Sequence, residues 1–166
     1  RLNNYIPTYK YSIVDMPKEA AKVLGWDGGK TEKDRRFLSD IMDLSTDYND
    51  APFKDVLSLV TDFKNNKDYA EYKVLIIDMR DPKDIARAVK TFGAETILID
   101  NPNVGKIESN HADANVNNYE NDYIIENVGT LEQLDAMAKL FVRDIICWSE
   151  IRANEKPHIL TCSNME

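Results

Sequence analysis

Four apolar segments each run directly into polar residues able to do chemistry. Tyr11–Val14 leads into Asp15, Val74–Ile77 into Asp78, Met79 and Arg80, Thr96–Ile99 into Asp100 and Asn101, and Tyr123–Ile125 into Glu126 and Asn127. If the segments are parallel strands, their carboxyl ends share one sheet edge, where open α/β sheets take their ligands. A carboxylate in that position either holds the water shell of Mg²⁺ or caps the following helix. Asp78 with Arg80 is the sharpest pair. Four apolar residues ending in an acid look like a Walker-B strand, and a guanidinium two residues on is placed to grip phosphate bidentately. The pattern is short, and chance also produces it.

Other segments carry weaker signals. Gly29-Lys30-Thr31 matches the end of a GxxxxGK[ST] phosphate loop, but Leu24 stands where the first glycine belongs. The segment also follows a helix pattern, whereas a phosphate loop joins a buried strand to a helix. Its glycines are expected to end the Met16–Leu24 helix and turn the chain. Arg35 and Arg36 open the next helix, where cations oppose the macrodipole. They imply either an anionic partner or pairing with Glu32 or Asp34. His111 has no evident catalytic partner and reads as a solvated loop histidine. Trp26, Trp148 and the tyrosines show no basic interleaving that would make a base-stacking strip.

The elements that must position these residues follow from periodicity. Val-Leu-Ile-Ile and Thr-Ile-Leu-Ile are continuous apolar runs, as expected of parallel strands covered on both faces. Phe37, Leu38, Ile41, Met42, Leu44 and Tyr48 form a helical stripe, and Pro52–Phe63 opens another helix. Asp81 as N-cap, Pro82 at the first helical position and Gly93 past the end bracket a helix bearing Ile85, Ala88, Val89 and Phe92. Thr130 and Gln133 have the spacing of a capping box ahead of a long helix reaching Ile145. Asn101–Asn118 is the one long loop, and long ordered loops are often functional.

At 166 residues, with 43% hydrophobic and 30% charged side chains, the chain suits one globular domain. Its formal net charge of -8 disfavours nucleic acid and anionic membrane surfaces as partners. No apolar run reaches the length of a transmembrane helix and Arg1–Lys10 lacks a signal-peptide core, so a cytoplasmic location is expected. Cys147 and Cys162 form neither a CxxC nor a ligand cluster.

Several stretches, taken in order, resemble the bacterial and phage-type deoxynucleoside monophosphate kinase group of P-loop nucleotide kinases. They are Tyr11-Ser12-Ile13-Val14-Asp15 with Lys18-Glu19-Ala20-Ala21-Lys22, Gly25-Trp26-Asp27-Gly28, Lys33–Asp40, Asp47-Tyr48-Asn49-Asp50, and Asp78-Met79-Arg80-Asp81-Pro82 with Gly93. Asn110-His111-Ala112-Asp113, Tyr119, Asp122-Tyr123-Ile124, Asn127 and Gly129-Thr130-Leu131 resemble the group's C-terminal section. The resemblance covers about Tyr11 to Ile145.

It implies a three-layer α/β/α fold with a mainly parallel sheet, P-loop NTPase-like, in residues 1–151, with 152–166 a polar, peripheral tail. It also implies phosphoryl transfer from ATP, with Mg²⁺, to a (deoxy)nucleoside monophosphate. On this sequence Asp15, Lys18, Arg35 and Arg36 would border the monophosphate, Asp78 would lie near the metal, acting on it indirectly, and Arg80 would face the transferring phosphate as the catalytic residue. Two departures stand out. Asp100-Asn101 occupies a place where relatives often carry a basic residue, and the group's first strand, Walker A loop and first helix have no counterpart here. That first strand is central in the group, so a truncated copy would lack the middle of its sheet and be inactive alone. The rival readings are a non-catalytic nucleotide-binding or protein-interaction module and an inactive phage-derived remnant.

Overall fold

The buried run Val74-Leu75-Ile76-Ile77 forms the strand its composition demands, and four further strands align with it in the same direction. In the computed structural model, which describes residues 1–102, 119–146 and 158–164, the strands are β1 (Thr8–Ser12), β2 (Val74–Asp78), β3 (Glu95–Asp100), β4 (Tyr123–Glu126) and β5 (His158–Asn164). They form one five-stranded sheet in the order β1-β2-β5-β3-β4, and every pairing is parallel. The helices are α1 (Asp15–Val23), α2 (Glu32–Asn49), α3 (Ala51–Asn65), α4 (Pro82–Phe92) and α5 (Leu131–Phe141), the last continued by a π-helical turn over Val142–Ile146.

Helices cover both faces, giving three layers. On one face Phe53, Val56, Val60 and Phe63 of α3 and Ile85 and Ala88 of α4 pack on Leu75, Ile77 and Ile159. On the other, Phe141 and Val142 with Ile6 pack on Val74, Ile97 and Leu160. Among the described residues no helix is long and apolar enough to cross a membrane.

The local signals act as read. Asp81 accepts a hydrogen bond from the Lys83 amide, and Gly93 ends α4 at φ 67°, a left-handed turn that favours glycine. Thr130 and Gln133 make the capping box of α5. Asp122 locks the start of β4 to β3 through the Thr96 amide and hydroxyl, each donating at 2.8 Å. The Asn101–Asn118 loop with His111, apart from Asn101 and Pro102, and also Cys147 and Trp148, lie outside the described residues.

Two expectations are corrected. The first strand is Thr8–Ser12 rather than Tyr11–Val14, because Val14 already serves as the N-cap of α1. The larger correction concerns the tail. Within 152–166, His158–Asn164 is not peripheral: it is the middle strand of the sheet, with β2 on one side and β3 on the other. The gap expected at the sheet centre is thereby filled by C-terminal residues. Ile159, Leu160 and Thr161 are buried in it, and between two strands covered on both faces three buried positions suffice. The apolar run is only two residues long, too short to register as a strand by pattern.

Leu160 is 0% exposed. Leu160→Ala is therefore expected to lower the unfolding free energy by about 2–5 kcal/mol, the cost of a core leucine. A urea titration checks it; a change below about 0.5 kcal/mol, the range of surface substitutions, would mean that the strand does not occupy the sheet centre.

Candidate functional site

Because all five strands are parallel, their carboxyl ends open on a single edge, and the polar residues after them share it. The edge is best defined where β1 meets β2. Ser12 lies opposite Asp78, and the Ile13 amide donates to the Asp78 carbonyl at 3.2 Å. The Ser12 amide in turn donates to Asp15 Oδ2 at 3.0 Å. Asp15 and Asp78 therefore flank the same short turn.

Each of these carboxylates carries an ammonium partner. Lys18, one turn along α1, places Nζ 2.9 Å from Asp15 Oδ1. Lys10 places Nζ 2.8 Å from Asp78 Oδ2. Lys10 and Ser12 alternate onto one face of β1, and their register partners are Ile76 and Asp78, so the lysine reaches along the strand toward the edge. Lys10 escaped the sequence reading, since a strand starting at Tyr11 leaves it outside. The signal available was its spacing of two from Ser12. Asp78 Oδ1 is buried and accepts no hydrogen bond among the described residues.

The remaining anticipated residues are less convergent. Arg80 follows β2 directly, is half-buried and is engaged with neighbours. Arg35 and Arg36 are exposed in the second turn of α2, a helix that packs on α1 and α3. They make no ion pair with Glu32 or Asp34; Asp34 instead completes a capping box with Thr31. The arginines thus stand one helix removed from the β1/β2 turn. Gly25-Trp26-Asp27-Gly28-Gly29-Lys30-Thr31 joins α1 to α2, helix to helix, with Gly25 at φ 95° and Gly28 at φ 92°. It is a turn and a cap, not a phosphate loop.

At the far end of the edge, Asp100 accepts the Asn127 amide through its carbonyl at 2.6 Å. Glu126 and Asn127 line a recess of about 360 Å³ together with Val128, Gly129 and Met137.

A third charged group was not anticipated. Arg87 of α4 grips Asp50 with both nitrogens, at 3.0 and 2.6 Å, and lies 3.8 Å above the Phe53 ring. Asp50 holds the α2–α3 corner at φ 59°. This pairing holds the Asp50 carboxyl below its ordinary value. Asp84, only 18% exposed, lies 3.9 Å from Arg87. Burial, reinforced by Asp81 and Asp50 against the pull of Arg87, pushes its carboxyl from 3.8 up to about 6.

For Mg²⁺, the fit is poor. Asp78 Oδ1 is buried, Oδ2 is held by Lys10, and no group of three or more acidic, histidine or cysteine ligands occurs among the described residues, so these side chains do not by themselves make a metal site. Such a cation would have to be held chiefly by nucleotide phosphates and water. Comparison of the chain with protein-family models, with curated proteins and with solved structures finds no match.

The raised Asp84 carboxyl has a defined pH signature. Between about 4 and 6 the folded chain keeps a proton that the unfolded chain has released, so this group's contribution to stability falls as pH rises through that window. Asp84→Asn should remove the loss and gain on the order of 2 kcal/mol over wild type at pH 7.5, with little difference at pH 4. Urea midpoints of both proteins across that range check it; parallel curves would contradict the buried-carboxyl assignment.

Proposed function

We propose that this chain is nucleotide kinase-like and that the β1/β2 carboxyl edge is the monophosphate side of a site for phosphoryl transfer from ATP to a (deoxy)nucleoside monophosphate. The observation that carries the reading is the gathering of Asp15, Lys18 and Asp78 around one turn at the ligand edge of an all-parallel sheet, with Arg80 two residues beyond Asp78 in the chain. These are the positions that the resemblance assigns to the monophosphate, the metal and the phosphate.

The roles follow from the chemistry of each group. Lys18 and Arg80 neutralise the phosphate of the acceptor, with Arg80 supplying directional donors. Asp15 orients Lys18 through their ion pair. Arg35 and Arg36, exposed on α2, extend the positive flank, and reach the same phosphate only if α2 moves toward the edge on binding. By the resemblance Asp78 would lie near Mg²⁺, which if carried in by the nucleotide phosphates would neutralise charge building on them. Phosphoryl transfer is mostly positioning and charge neutralisation, so the reaction asks for no nucleophilic side chain at this edge.

Transfer also needs a glycine-rich loop whose amides cradle the ATP phosphates. These 166 residues contain no GxxxxGK[ST] sequence, and Gly29-Lys30-Thr31 sits between two helices. The reading therefore separates binding from turnover: the 166 residues bind monophosphate weakly and do not transfer the γ-phosphate.

Two measurements test this. In a coupled assay with ATP, Mg²⁺ and each common deoxynucleoside monophosphate, no turnover is expected; turnover abolished by Lys30→Ala would make the α1–α2 segment a working phosphate loop. In ligand-observed NMR, at least one monophosphate should bind, and Arg80→Ala should weaken it about tenfold or more, as expected for loss of a charge-assisted contact worth ~1.5–3 kcal/mol. Equal binding by Arg80→Ala and wild type would remove Arg80 from the site.

A further inference from the structure

Helix α2 turns one charged face to solvent. Lys33, Arg36, Asp40, Asp43 and Asp47 follow one another at steps of three and four, which stacks them along a single face, and all are exposed. Leu44 and Tyr48 lie along the same stripe, 72% and 83% exposed, so large apolar surface is left in water there. Elsewhere α2 packs on α1 and α3. Among the described residues none of the five charged groups makes an ion pair.

The order of charge along this face is unfavourable for a lone helix. Its cations stand toward the amino end and its aspartates toward the carboxyl end, with no basic residue in the last turn, so both groups oppose the macrodipole. The three aspartates are also neighbours on the helix, where like charges repel. A helix running the opposite way brings the missing counter-charges, and a second copy of α2 is such a helix.

We propose that this face of α2 is the contact of a homodimer, in which two copies pair their α2 helices antiparallel about a two-fold axis. With the axis level with Leu38, Lys33 meets Asp43 and Arg36 meets Asp40 of the second copy, and the symmetry makes each pair twice. Asp47 comes level with the turn that holds the exposed Lys30. Leu44 and Tyr48 are carried toward the α1–α2 turn of the second copy, where Val23 and Leu24 are 88% and 68% exposed. Parallel pairing would instead set lysine on lysine and aspartate on aspartate, so charge selects the antiparallel arrangement. The 18 residues of α2 span about 27 Å, which places the contact at the small end of specific interfaces and makes the dimer weak and salt-sensitive. Arg36 is then held by Asp40 and leaves the positive flank of the carboxyl edge to Arg35; the dimer does not rest on the phosphoryl-transfer reading.

Sedimentation equilibrium of the 166-residue chain tests the pairing. At about 0.1 M salt the net charge of -8 is screened beyond ~10 Å while contact pairs are not, and a monomer–dimer equilibrium is expected. Raising the salt to about 1 M, where screening reaches ~3 Å, should weaken it about tenfold or more. Lys33→Glu with Arg36→Glu makes the face acidic throughout, and Asp40→Lys with Asp43→Lys makes it mainly basic; each double variant alone should lose about tenfold or more in dimer affinity, the joint effect of several exposed pairs. Mixed in equal amounts, the two variants recreate every pair and should form a heterodimer at least as tight as the wild-type dimer. Wild type that stays monomeric at every concentration overturns the proposal and leaves the face to a different protein. A dimer indifferent to salt and to both double variants, or folded variants that fail to associate when mixed, overturns it as well.

Discussion

The sheet depends on one strand. Among the described residues, the pairs β1-β2 and β3-β4 are not hydrogen-bonded to each other; β5 lies between them and pairs with β2 on one side and β3 on the other. A parallel sheet has no local hairpins, so each pairing is made between segments distant in sequence, and the entropy of closing those loops must be offset by burial on both faces. Ile159 faces the α3–α4 layer and Leu160 the α5 layer, so neighbouring residues of one strand tie together both cores. Without that strand, β2 and β3 would each present an open edge in the middle of the fold.

The same parallel arrangement makes the candidate site. Running five strands in one direction collects their carboxyl ends, and chain chemistry then decides what is found there. At the β1/β2 end, two carboxylates each hold an ammonium, so an acidic protein presents a locally neutralised edge. Exposed pairs of this kind contribute little to stability, ~0.2–1 kcal/mol. Their interest lies in the positions they give to charge, as between Lys10 and Asp78.

Away from the edge, the α2–α3 corner shows how local strain is held by tertiary contact. A left-handed aspartate costs free energy that glycine would avoid. Arg87 compensates by a two-nitrogen grip on the Asp50 carboxylate and by resting on Phe53, which itself stacks on Phe92. That contact joins α4 to the helix pair that carries Arg35 and Arg36.

Sequence alone determined what depends on neighbours within a few residues. Continuous apolar runs made β2 and β3 legible, Asp81-Pro82 with Gly93 bracketed α4, and Thr130 with Gln133 opened α5, because caps and turns act over one helical turn. Asp78 was legible as a strand-end residue for the same reason, whereas Asp15, read as ending the first strand, opens α1 three residues past β1. What only the tertiary structure decided was pairing across long separations. Ile159-Leu160-Thr161 is too short an apolar stretch to announce a central strand, and becomes one only where β2 and β3 leave a slot covered on both faces. Lys10 meets Asp78, and Arg87 meets Asp50, through contacts that no local pattern encodes, since charge pairing over dozens of residues is set by strand register and helix packing rather than by spacing along the chain.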